Sequence, residues 1–139
     1  MRELGLPKEN NDYYDHNERF VLDEELLFVF GSNLAGRHGA GAALAALNFY
    51  GAVYGRGVGL NNSSYAIPTK DRNLIILPIK SIKFYVDQFV SFTQTSNRHF
   101  YVTPIGTGYA RYKHSDIAPL FKNVKNCWLP EVWKPYIET

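Results

Sequence analysis

The sequence predicts an α/β protein: one sheet between helical layers, in a single three-layer domain. Three observations carry this. The apolar run "LLFVF", residues 26–30, is short and closed by Gly31, as suits a strand buried on both faces. A second apolar run, "HFYVTPIG" at 99–106, has the same character. Between them lie two stretches with helical composition or spacing.

Taken in order, residues 1–18 are polar and charged apart from Leu4, Leu6 and the pair Tyr13-Tyr14. They read as an irregular lead-in whose tyrosines are placed to cover a groove, with the domain proper over 19–139. The strand at 26–30 follows. Residues 39–49 then predict a helix, because Ala42, Ala43, Ala45 and Ala46 favour helix and allow close packing on a sheet. Residues 52–71 read as loop followed by a short strand at 65–68. "LIILP", residues 74–78, fits either another strand or an apolar lead into the next helix. That helix is defined by the stripe Ile79, Ile82, Val86, Phe89 and Val90, and Ser96-Asn97 marks its end. After the strand at 99–106 comes a loop, then a third helix capped by Ser115 or Asp116 and running to about Val124. Pro119 is compatible with that helix only near its first turn. "CWLPEVW" reads as a last strand or extended edge, with Trp128 and Trp133 closing the core.

Composition narrows the function classes. The 139 residues suffice for one domain with a substantial core. Apolar residues make up 45%, with ten Tyr and nine Phe, which argues against disorder. A net charge of +2 does not by itself demand a nucleic-acid partner. Cys127 is the lone cysteine, so no internal disulfide or multi-cysteine metal site is expected. His16, His99 and His114 lack metal-ligand spacing, so neither metal nor cofactor is expected. No long apolar span or secretory h-region appears, which predicts a cytoplasmic protein with no membrane partner.

Two segments share one design, an apolar strand ending in a glycine-bearing turn that leads toward a helix: "FVFGSN…GRHGAGAA" and "YVTPIGTGYA". Ligands of open α/β sheets bind beyond the carboxyl ends of the strands. Such turns expose backbone N–H groups, the following helix adds its positive end, and glycines let a phosphate approach. As a pair they predict an anion site. "GRGVG", residues 55–59, lacks the strand–turn–helix setting of a dinucleotide fingerprint.

"FGSNLAGRHGAGAALA", "SYAIPTKD" and "VTPIGTGYARY" stand in the order and spacing of macro domains, and the chain resembles these over roughly residues 26–125. It is most similar to short macro-like proteins of bacteriophages and bacteria, whose cytoplasm would then be that of a bacterial host. The resemblance implies a three-layer mixed-sheet fold that binds ADP-ribose or a related NAD-derived nucleotide. Asn33 would contact the distal ribose. Gly39, Ala40, Gly41 and Ala42 would border that ribose and the diphosphate. Gly106, Thr107, Gly108 and Tyr109 would wrap the diphosphate, and Gly31, Ser32, Thr69, Ile105 and Ala110 complete the implied ligand-binding set.

Two departures bear on catalysis. Gly41 stands where hydrolytic relatives carry an acid, and Ala110 where another de-ADP-ribosylating branch carries an aspartate after the second-loop glycines. Substitutes are Lys70 and Asp71 of "IPTKD" and the His38 imidazole, while Arg37 offers a fork for phosphate. Binding of the nucleotide is therefore the leading expectation. Removal of ADP-ribose from a protein or nucleic acid, or processing of an ADP-ribose phosphate, is the second. A nucleic-acid-binding accessory role, with Arg98, Arg111, Lys113, Lys122 and Lys125 as a basic rim, is the third.

Overall fold

Residues 1–138 are described by a computed structural model. Strand β4, Leu26–Asn33, is its middle strand. Leu26 to Phe30 are all buried there, as an inner strand needs. Four strands and a helix flank it in the chain order that follows: β1 (Arg2–Leu4), β2 (Asn11–Tyr14), β3 (Phe20–Leu22), then α1 (Gly41–Phe49) and β5 (Gly59–Asn61). Next come β6 (Ser64–Lys70), α2 (Ile79–Thr95), β7 (His99–Val102), α3 (His114–Ile117), β8 (Cys127–Pro130) and α4 (Lys134–Ile137). The main sheet has the order β2-β8-β7-β4-β6-β5. All its pairs are parallel except β5 with β6, so the sheet is mixed.

Period-two alternation along β4 divides the core. Leu27 and Val29 join Tyr65 and Ile67 on one face, under Ile82, Val86 and Phe89 of α2. Phe28 and Phe30 face the other way, with Ala66, under Ala43 and Ala46 of α1. The alanines let α1 lie close to the sheet, while the large side chains of α2 fill the opposite layer. Each fully buried side chain of this size contributes about 1.5–3 kcal/mol over leaving it in water.

Several boundaries differ from the sequence-based expectation, each for a local reason. Helix α1 starts at Gly41 because Ala40 is extended, at φ −156° and ψ 160°. Strand β6 reaches Lys70, since Asn33 still pairs beside it across a bulge. Residues 74–78 are neither a full strand nor helix: Ile76 bridges Lys70, Leu77 donates to the Thr69 carbonyl, and α2 begins after Pro78. Strand β7 stops at Val102 because Pro104 brings no N–H and Gly106 takes φ +78°. The third helix is a short α turn, α3, continued as a 3-10 turn over Ala118–Phe121, where Pro119 cannot supply an α-type bond. Lys113 is its N-cap; Asp116 instead accepts the Lys113 N–H at 3.1 Å, and Ser115 does not cap.

Residues 1–18 are more ordered than a lead-in. β2 is the sheet's edge strand against β8, and β1 pairs with β3 in a separate parallel ribbon. Tyr14 is buried, and its hydroxyl donates to the Val102 carbonyl at 2.7 Å, so it anchors the edge instead of covering a groove. Tyr13 packs on the core beside it. Trp133 is fully buried, whereas Trp128 is half-buried and donates to the Gly5 carbonyl at 2.7 Å. Cys127 is buried, and burial pushes its thiol well up. No helix among the described residues is long and apolar enough to cross a membrane.

The indole N–H of Trp133 donates to Nδ1 of His114 at 3.0 Å, so that nitrogen must carry a lone pair. Burial pushes the His114 pKa below the usual histidine value of 6.5, and His16, ring to ring at 5.8 Å, pushes in the same direction. A histidine depressed in the folded state binds its proton more readily when unfolded. Its contribution is therefore complete above about pH 6.5, falls as the pH drops below that value, and levels off once the folded ring also protonates. His114→Asn, which keeps an acceptor for the indole, is expected to remove this component. Urea midpoints of the wild type and variant, compared between about pH 7 and pH 5, check it.

Candidate functional site

β4, β6 and β7 run parallel; β4 and β6 end together at Asn33 and Lys70, while β7 stops at Val102, beside Val29. After β4 the chain crosses through α1 to β6 on one side, then through α2 to β7 on the other. That reversal leaves a crevice at the strand ends, the usual ligand position in such sheets.

The loop leaving β4 is shaped by local bonds. Asn33 clamps Arg37 from both sides, accepting its N–H at 3.0 Å and donating to its carbonyl at 3.0 Å. Gly36, at φ +69°, lies flat against Gly55 and Arg56, where a Cβ would stand 2.3 Å from backbone atoms. A Cβ on Gly57 would lie 1.8 Å from the Asn33 carbonyl oxygen, and the Ser32 hydroxyl donates to the Gly57 carbonyl. Gly36 and Gly57 thus admit backbone-to-backbone packing between the two loops.

His38 belongs to this packing. It is 1% exposed, and Nε2 lies 3.1 Å from the Val53 carbonyl and 3.0 Å from that of Arg56. Both neighbours are acceptors, so Nε2 carries the hydrogen. Its ring meets Phe30 edge-on and lines neither cavity described below.

Two adjoining cavities open at the strand ends. The first, about 300 Å³, lies between Ala40–Ala43 at the start of α1 and the loop from Thr103 to Ala110. The second, about 400 Å³, is bounded by Ser32, Asn33, Arg37, Gly39, Tyr54, Lys70 and Leu74. Gly31, Ala40, Ala43, Thr69 and Tyr109 line both, so they form one cleft with Tyr109 at the junction. Both volumes fall within the range of small-molecule sites.

The first cavity has no charged side chain on its wall. Its polarity is that of the backbone. Helix α1 has no side-chain cap and no acid in its first turn, so the N–H groups at its start and its positive dipole end stay uncompensated. Across the cavity, the N–H groups of Gly106, Gly108, Tyr109 and Ala110 donate to no acceptor among the described residues. The loop's own bonds instead run from Thr107 Oγ1 to the Pro104 carbonyl at 2.7 Å and from the Tyr112 N–H to the Gly106 carbonyl at 2.8 Å. Residues with unpartnered donors therefore line a carboxylate-free space from two sides, an arrangement that can hold an anion.

Each of the fifteen ligand-binding residues expected from the sequence lies on the wall of one cavity or the other. Of the three catalytic candidates, only Lys70 does, with Nζ 5.7 Å from the centroid of the Tyr109 ring. The Asp71 carboxylate accepts from the Asn73 and Ile75 N–H groups at 2.8 and 3.0 Å, which fixes the turn after β6, and it lines neither cavity. The expected basic rim is divided: Arg98 and Lys125 precede β7 and β8, at the opposite end of the parallel strands from Arg111. Sequence reasoning passed over Tyr54, Leu74, Thr103, Pro104 and Ala43. Tyr54 and Leu74 come from segments with no motif, and Leu74 adopts a left-handed φ of 64° that no pattern signals. Among the described residues no three His, Cys, Asp or Glu side chains gather as a metal site.

His38→Ala tests the packing role. It opens a buried cavity and leaves the Val53 and Arg56 carbonyls without their donor, so a loss of about 2–4 kcal/mol is expected in urea unfolding. A loss below about 0.5 kcal/mol would show that the ring holds nothing together.

Comparison with protein-family models, with curated proteins and with solved structures finds no match to this chain.

Proposed function

We propose that this protein is a macro-like module that binds ADP-ribose or a related NAD-derived nucleotide, with the diphosphate in the first cavity. The observation that carries the reading is the facing pair of unpartnered backbone donors, the uncapped start of α1 and the Gly106–Ala110 loop, around a space without a carboxylate. A dianionic diphosphate suits such a space, because main-chain donors and a helix dipole favour negative charge without an ion pair. The resemblance in the three motifs points the same way and supplies the choice of nucleotide. An ADP-ribosylated protein or nucleic acid would present the same chemical group.

Binding is favoured over cleavage by the side chains present. Gly41 and Ala110 supply no acid, Asp71 is bound into its turn, and His38 is turned into the core. Lys70 is the one catalytic candidate on the wall. Glycosidic cleavage needs an acid/base or nucleophile at the reacting bond. A binding module needs none.

Calorimetric titration with ADP-ribose is expected to show saturable binding of one nucleotide per chain; absence of heat at millimolar nucleotide overturns the reading. A second experiment separates the site from the fold. Ala40 is the N-cap of α1 and lines both cavities. Ala40→Asp is expected to cap the helix, raising stability by about 1 kcal/mol. The same carboxylate would occupy the donors and repel the diphosphate, weakening ADP-ribose at least tenfold, or about 1.4 kcal/mol. A variant that is more stable and binds equally well would place the nucleotide elsewhere.

A further inference from the structure

Three segments distant in sequence meet on one imidazole outside the cleft. Nδ1 of His114, the first residue of α3, accepts the Trp133 indole N–H at 3.0 Å, and the His16 ring, after β2, stands 5.8 Å away. Trp133 is fully buried in the 3-10 turn Glu131–Trp133 that leads into α4. The contact is not sealed, because His16 lines an open cavity of about 540 Å³ with Asp15, Glu131 and Tyr136.

The charges around this contact do not hold a proton on His114. Asp15 and Glu131 share the cavity wall with His16, yet neither pairs with a histidine; the ion pairs among the described residues are Arg2–Glu18 and Lys83–Asp87. On α3 itself, the Asp116 carboxylate accepts the Lys113 N–H at 3.1 Å. From α4, Lys134 lies over the Tyr13 ring and Glu138 faces the Tyr13 hydroxyl. A second proton on the His114 ring makes both its nitrogens donors. Nδ1–H then confronts the indole N–H, which is too deeply buried to find water, so the contact must part.

α3 carries that change to the cleft. Three residues beyond His114, the buried Ile117 side chain lies against Gly106, where a Cβ would stand 3.0 and 3.2 Å from its Cδ1 and Cγ1. Two residues before His114, the Tyr112 N–H donates to the Gly106 carbonyl at 2.8 Å. The loop with the unpartnered donors thus rests on the helix that His114 begins.

We propose that the contact among His16, His114 and Trp133 is a proton-operated latch: acid opens it, releases the start of α3 and loosens the Gly106–Ala110 loop. Its consequence for nucleotide affinity rests on the reading above; the latch itself does not.

Nuclear magnetic resonance of the free protein tests it as the pH is lowered from about 8 to about 5, across the histidine range. The His114 ring, the Trp133 indole N–H and the Gly106, Gly108 and Ala110 amides are expected to titrate together while the β4 amides hold still. In Trp133→Phe the ring still takes up its proton but meets no donor, so the loop should no longer follow it. A loop response that persists there, or in His114→Asn, overturns the latch. So does a wild-type indole N–H that stays in place while the loop shifts, or a His114 ring that stays neutral until the whole protein unfolds. The wild-type readouts decide the question if Trp133→Phe does not fold.

The diphosphate of ADP-ribose stays fully ionised over this range. Its affinity for the wild type should fall at least about threefold from about pH 7 to about pH 5 as the competent loop is depopulated, and should stay level in His114→Asn. Equal wild-type affinity at both pH values overturns the inference and leaves the nucleotide reading standing. If ring, indole and loop titrate together but no nucleotide binds at either pH, the latch stands and the nucleotide reading falls.

Discussion

The rest of the molecule depends on β4 being buried on both faces. A strand in that position must be apolar on both sides, and Leu27 and Val29 supply one layer while Phe28 and Phe30 supply the other. Because its two neighbours run parallel to it and the chain returns on opposite sides, no element can continue across its end. The polar backbone that emerges at Gly31 must therefore turn within a few residues. The crevice at that point follows from the topology, and the loops determine what it can hold.

The loops are built largely by side chains that chemistry would otherwise single out. Asn33, His38 and Asp71 each direct their polar atoms at nearby main chain. Buried or turn-forming polar groups are satisfied locally when they can be, as Asn33 and Asp71 are; His38 is satisfied at Nε2, while its buried Nδ1 has no partner among the described residues. The consequence lies on the other side of the crevice. With the turns held by side chains and by close glycine contacts, the main-chain donors of Gly106, Gly108, Tyr109 and Ala110 and of the first turn of α1 are left free. Rigid loops with unused donors bind without first having to be ordered.

The layers and the strand-to-turn transitions were legible in the sequence because they rest on local composition: the apolar run at 26–30, the alanines of α1, the stripe along α2. The walls of the cleft were legible for the same reason, as glycine turns follow apolar strands. What was not legible depends on contacts between distant segments. β2 forms as an edge strand because the Asn11 side chain and the Tyr14 hydroxyl find carbonyls at Val124 and Val102, more than eighty residues away. Tyr54 reaches the cleft because the Gly55 N–H donates to the Gly36 carbonyl, which folds the 53–57 loop under the first turn. His38, a plausible acid or base by its place in the motif, is removed from the cleft by that same loop. Residue type does not give the direction in which a ring points.

Gly41 shows how a residue can be explained by the site and not by a missing catalyst. Its φ of +57° is left-handed, a conformation that costs a residue with a Cβ about 1–2 kcal/mol. A Cβ there would also stand 3.0 Å from the Tyr109 ring, so the ring would have to give by a few tenths of an ångström. Tyr109 is 68% exposed yet lines both cavities, and Lys70 lies over its ring. A side chain at 41 would therefore press on the tyrosine at this junction. In this chain the tyrosine occupies it, and the first cavity keeps a wall without charge. That leaves main-chain donors to meet the anion and gives the two cations of the neighbouring cavity no carboxylate to neutralise them.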